Sequence, residues 1–157
     1  MSDQYVATYL SDHLAGSVAA LELLEHLEKA HAGTATGHFV ATLRTDIAAD
    51  RQELTALMAR LHLAASPPRK AAAWLAEKMT ELKLRLDDPA GGALRLLQAL
   101  EVVSLGIEGK RLLWRALDAA GLEGIDCQRL QQRAEEQRQR VETTRLAAAR
   151  TALAGAF

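Results

Sequence analysis

The sequence predicts an all-α fold of four long helices with a shorter one between the second and third of them. Three observations predict it. Breaking punctuation falls at four places only: Gly33 with Gly37, Ser66-Pro67-Pro68, Asp87-Asp88-Pro89, and Gly121 with Gly124. Between those marks β-branched residues are few and no apolar–polar alternation reads as a strand. The 49% apolar fraction is Leu, Ala and Val, with aromatics at 4%, a composition of high helix propensity that lets helices approach closely.

These marks delimit helices near 3–31, 36–63, 67–86, 89–120 and 126–155 in one domain, 1–157, long enough to bury a sizeable core. In the first helix Val6, Leu10, Leu14, Ser17, Leu21 and Leu24 share a face, continued by Glu28. In the second the face is Phe39, Leu43, Ile47, Leu54, Leu57 and Leu61, with Asp50 among them. Ser66 with Pro67 or Pro68 is the expected start of the third, which offers Leu75, Met79, Leu82 and Leu86. Asp88-Pro89 repeats that device for the fourth. The fourth is apolar around most of its circumference, through Leu96, Leu100, Val103, Ile107 and Trp114 on one side and Leu94, Leu105 and Leu112 on another, and so belongs at the centre. Gly121 ends it and Asp126 caps the next. The last helix has a thin stripe of Leu130, Ala134, Val141 and Ala148, interrupted by Gln137 and Thr144, and belongs at an edge. The links at 32–35 and 121–125 are short enough to join antiparallel neighbours. The link between these two hairpins holds a helix of its own. About 20 residues at ~1.5 Å each let it run most of the bundle's length.

Charge and composition exclude several function classes. With 19 basic and 20 acidic side chains the net charge is −1, without the basic footprint of a nucleic-acid binder. The arginines of the last helix alternate with Glu135, Glu136 and Glu142, as on a solvated face. No apolar run reaches the ~20 residues that span a bilayer, and the N-terminus lacks a secretion pattern, so a cytoplasmic chain is expected. Cys127 stands alone and is read as an ordinary thiol at a helix start. Gly106-Ile107-Glu108-Gly109 lies within a helix, where its glycines admit a close neighbour. No serine is spaced with a histidine as a nucleophile and base would be.

Two antiparallel hairpins joined by a long crossover containing a short helix resemble the ferritin-like superfamily of four-helix bundles. That resemblance implies an iron or manganese site of one Glu from each of two helices and a Glu-x-x-His pair from each of the others. Carried over residue by residue, the frame on the second helix is Asp50-Arg51-Gln52-Glu53, with Glu53 at the histidine position. Level with Asp50 on the first helix stand Ser17 and Leu21, which are not strong ligands. All five histidines (His13, His26, His31, His38, His62) lie in the first two helices, so the last helix cannot supply its pair. One Glu-x-x-His does occur, Glu28 to His31, at the end of the first helix. Glu101 would stand for the third-helix ligand, with Glu108 on the same stripe. An antiparallel pairing about residues 121–125 also sets Glu101 level with Arg145 and Glu108 with Arg138, which accounts for both carboxylates without a metal.

The expected chain is therefore a diverged ferritin-like bundle without a full di-metal ligand set. It needs no cofactor and acts through a protein partner or as a homo-oligomer. The alternative is a metal-carboxylate protein binding iron or manganese through Asp50, Glu53, Glu101 and Glu108. A third class is a small-molecule binder with an apolar pocket between Ala-rich helices.

Overall fold

The computed structural model describes residues 2–67, 69–86 and 92–154. Every regular element among them is helical: α1 (Ser2–Ala30), α2 (Ala35–Arg60), α3 (Lys70–Leu86), α4 (Gly92–Ala119) and α5 (Cys127–Leu153). None of these helices is long and apolar enough to cross a membrane.

Local chemistry explains most ends. Gly33 makes the first turn at φ 77°. Thr34 Oγ1 then accepts from Gly37 N at 3.1 Å and caps α2. Gly37 itself does not interrupt the chain as expected. It lies in the first turn of α2, where a Cβ would stand 2.2 Å from the His31 carbonyl oxygen, so its bareness lets α2 start against the end of α1. Gly121, at φ 69°, ends α4, and Asp126 Oδ1 accepts from Arg129 N at 2.9 Å to cap α5. Both match the sequence reading. The start of α3 does not. It begins at Lys70, and the Ser66 hydroxyl has no partner among the described residues. Residues 66 and 69 instead tie to α1: Ser66 N donates to Ser11 Oγ at 2.9 Å, and Arg69 N and Nε each reach an Asp12 oxygen at 2.9 Å. Pro68, the Asp88-Pro89 start and the side chains of Leu75, Leu82 and Leu86 lie outside the described residues.

Ion pairs between helices show how α2, α4 and α5 run. Glu28 meets Arg44 across α1 and α2. Glu53 meets Arg129, and Asp46 meets Arg140, across α2 and α5. Glu108 meets Arg138, and Glu101 meets Arg145, across α4 and α5. In the last two seams one residue number rises as the other falls, so both helix pairs are antiparallel. Consequently α2 and α4 run the same way, and α3 carries the chain back while packing on α1 and α4. Its 17 residues reach ~25 Å.

The core forms two large clusters, one above and one below a polar level, and a small third one of Ala19, Ala20 and Met79 between α1 and α3. Leu23, Leu27, Val40, Leu43, Leu100 and Val103 belong to the first, and Leu10, Leu54, Leu57, Leu113, Trp114 and Leu130 to the second. On α2 the expected Leu43, Ile47, Asp50, Leu54 and Leu57 are buried while Phe39 and Leu61 are half-buried, and Leu130, Ala134, Gln137, Val141 and Ala148 of the α5 stripe are buried. Two expectations need correction. On α1, Leu23 and Leu27 are fully buried while Leu14 and Leu21 are half-buried, because α1 packs on α2 and α3 together. Nor is α4 wrapped all round. Leu94, Leu105 and Leu112 are 48%, 71% and 49% exposed on its outer side, since its neighbours α1, α3 and α5 cover the rest.

Candidate functional site

On α2, Asp50 lies between the two large core clusters on the inward stripe of Ile47 and Leu54. On α4, Lys110 does the same on the stripe of Ile107 and Trp114. The two meet directly. Lys110 Nζ donates to Asp50 Oδ2 and to Gln137 Oε1, and Gln137 Nε2 donates to the same Asp50 oxygen at 2.9 Å. Asp50 Oδ1 has Arg133 Nε 3.0 Å away, an ionic contact without the alignment of a directed hydrogen bond. Arg133 also donates to the Asp46 carbonyl at 3.0 Å. One buried carboxylate thus holds two cations and an amide. Burial pushes the Lys110 pKa down, against the opposing pull of Asp50. Charges taken this far from water persist only when paired and hydrogen-bonded.

Beside this cluster opens a cavity of about 280 Å³. Its walls come from α1 (Asp12, His13, Gly16, Ser17, Ala20), α2 (Ile47, Asp50, Leu54) and α4 (Val103, Gly106, Ile107, Gly109, Lys110, Trp114), with Met79 of α3 beside them. The sequence makes this space by omission. A Cβ on Gly16 or Gly109 would meet nothing within 4 Å, and one on Gly106 would meet only Met79 Cε, at 3.8 Å. These glycines therefore open onto the cavity and do not admit a neighbouring backbone. Each costs the helix about 1 kcal/mol relative to alanine.

The polar groups on the wall are mostly committed. Asp12 is held by Arg69, and Ser17 Oγ donates to the Leu14 carbonyl of its own helix at 2.6 Å. His13 stacks edge-on against Tyr9, ring centroids 4.9 Å apart; burial lowers its pKa and Asp12 partly opposes that. Two differ: Arg51, exposed and paired with no carboxylate among the described residues, and the buried Trp114. Trp114 is 1% exposed, and its Nε1–H has no acceptor among the described residues. An orphaned buried donor costs about 1–3 kcal/mol.

The four carboxylates named as metal candidates do not converge. Asp50 is in the cluster just described. Glu53 pairs with Arg129 at 2.8 Å, Glu101 with Arg145 at 3.3 Å, and Glu108 with Arg111 and Arg138 at 2.7 and 2.8 Å. The hydrogen bond from Arg111 holds the Glu108 carboxyl below its ordinary pKa, and Arg138 adds to this. Among the described residues no group of three or more His, Cys, Asp or Glu is placed to hold a metal. The donor set therefore does not fit the iron or manganese centre that the resemblance implies: at the level of Asp50 the cations are Lys110 and Arg133. Glu28, of the lone Glu-x-x-His, pairs with Arg44 at 2.7 Å. Cys127 is a core residue, its thiol pKa raised by burial and then by Asp118 and Asp126. Comparison with protein-family models, curated proteins and solved structures finds no match in any of the three.

Sequence reasoning missed Lys110 and Arg133, and it named an apolar pocket between Ala-rich helices without locating it. For Lys110 a signal existed, since position 110 continues the inward stripe 103, 107, 114 as its one charge. The cavity had only a faint signal, in Gly16 and Gly109 as unneeded glycines inside helices.

Proposed function

We propose that this chain is a binding protein on a ferritin-like helical bundle, taking a small, largely apolar molecule into its mid-bundle cavity. The cavity itself carries this reading. A dry apolar cavity of ~150 Å³ holds benzene, and this one is about 280 Å³, with glycines and aliphatic side chains on most of its wall and a few polar groups converging on it. Sites of that make-up are the usual small-molecule sites. Binding rather than catalysis is supported by the engagement of Asp12, Asp50 and Ser17, which leaves none of them as a free base or nucleophile. The ferritin-like assignment is supported by the parallel course of α2 and α4 with a crossing helix between them. The test is a titration of 1-octanol followed by NMR at the two indole Nε1–H signals. Trp114 should shift saturably while Trp74, 59% exposed, stays still. The Gly109→Leu variant, filling the space, should abolish the shift. An unmoved Trp114 would overturn the reading.

Self-association is a second reading with its own observation, the outward stripe of Leu94, Leu105 and Leu112. Its occupant is a second copy of this chain, because a net charge of −1 leaves little repulsion between copies. Light scattering should then give a dimer mass that Leu105→Glu reduces to the monomer. A monomer at high concentration would exclude it.

A further inference from the structure

The cavity wall is short of acceptors. Its carboxylates are both satisfied: Asp12 by two bonds from Arg69, and Asp50 by Lys110, Gln137 and Arg133. Its donors are not. An ammonium carries three N–H groups, and Lys110 spends two of them on Asp50 and Gln137. In formal charge, Asp50 with Lys110 and Arg133 leaves one positive charge unmatched. Arg51, exposed at the rim, is engaged by no carboxylate among the described residues. Donors left over in a half-open, mostly apolar pocket favour a ligand that brings one strong acceptor on an apolar body, since hydrogen bonds to an ionised acceptor are about twice as strong as neutral ones.

We infer that the cavity takes a small monocarboxylate with an apolar body, its carboxylate accepting from Lys110 Nζ. This narrows the binding reading given above to one ligand class and rests on it. A single carboxylate matches the one unmatched charge of the buried Asp50–Lys110–Arg133 cluster. An amine would meet Lys110 as a like charge. The volume, set against the ~150 Å³ that takes the six carbons of benzene, suits a body of about ten heavy atoms.

The test compares octanoate, 1-octanol and octylamine on the full chain, by calorimetry and at the Trp114 indole signal. Octanoate should bind about tenfold or more tighter than 1-octanol, and octylamine more weakly than either. Lys110→Met should bring octanoate down to the level of 1-octanol while leaving 1-octanol within about twofold. If Lys110→Met does not fold, the octanoate to octanol ratio of the unaltered chain decides alone. Equal affinity for octanoate and octanol would overturn the carboxylate assignment and leave the cavity reading standing. Absence of binding by all three would overturn both.

Discussion

Gly37, Gly16 and Gly109 are all helical, yet they are there for different physical reasons. At Gly37 a methyl group would lie 2.2 Å from a backbone oxygen, so α1 and α2 would have to move apart. Gly37→Ala should destabilise by about 1–3 kcal/mol, as overpacking does. At Gly16 and Gly109 the methyl group would enter open space. There Gly→Ala should stabilise by roughly 0.5–1 kcal/mol through the lost backbone entropy of glycine, and at the same time weaken ligand binding. Chemical denaturation of the three variants checks the opposite signs, and a gain of stability in Gly37→Ala would contradict the packing described at the first turn. Residue-level chemistry was partly legible in the sequence. Local capping rules located Gly121 and Asp126, because those groups act within one turn of the chain. Antiparallel arithmetic about 121–125 located the Glu101–Arg145 and Glu108–Arg138 pairs. Lys110 was not found, because its partners Asp50 and Gln137 are 60 and 27 residues away and become visible only once three helices are placed together.

Among the elements, α3 has the most to explain. Its buried described side chain is Met79, 1% exposed against Ala19, Ala20 and Val102, with Ala76 packed beside it. The segment before it is moored at Ser11 and Asp12. Met79→Ala should therefore destabilise by about 2–5 kcal/mol, and hydrogen exchange should show α3 loosened from α1. A change within error would mean that the crossing helix is held by its mooring alone. Helix number, the two short turns and the helical link were readable from periodicity and punctuation. The exposed side of α4 was not. An apolar stripe states what a helix is able to bury, and the number of neighbours that arrive is a tertiary property.

For the whole molecule, acid should loosen the bundle before base does. Burial lowers the pKa of His13 and of His31, so in the window just below the unfolded value of about 6.5 the unfolded chain binds more protons than the folded one. The stability these groups contribute is complete above that value and is lost as pH falls toward their folded pKa values. Glu108, lowered by Arg111 and Arg138, acts in the same direction further down, below the usual carboxylate range. Melting temperature should thus decline from pH 7 to pH 5, and His13→Gln should flatten the decline by up to one proton's slope, ~1.4 kcal/mol per pH unit. An unchanged slope would place the His13 ring in water.

The claim on which the functional account rests is that a standing cavity lies between α1, α2 and α4 beside the Asp50–Lys110 pair. Xenon enters cavities of this kind without needing any polar partner. Diffraction from crystals under xenon pressure therefore tests the claim most directly, with Gly109→Leu as the filled control. The account predicts xenon density bounded by Gly16, Gly106, Gly109 and Trp114, and its loss in the variant. Side chains closed over that space, with no xenon in either protein, would contradict it.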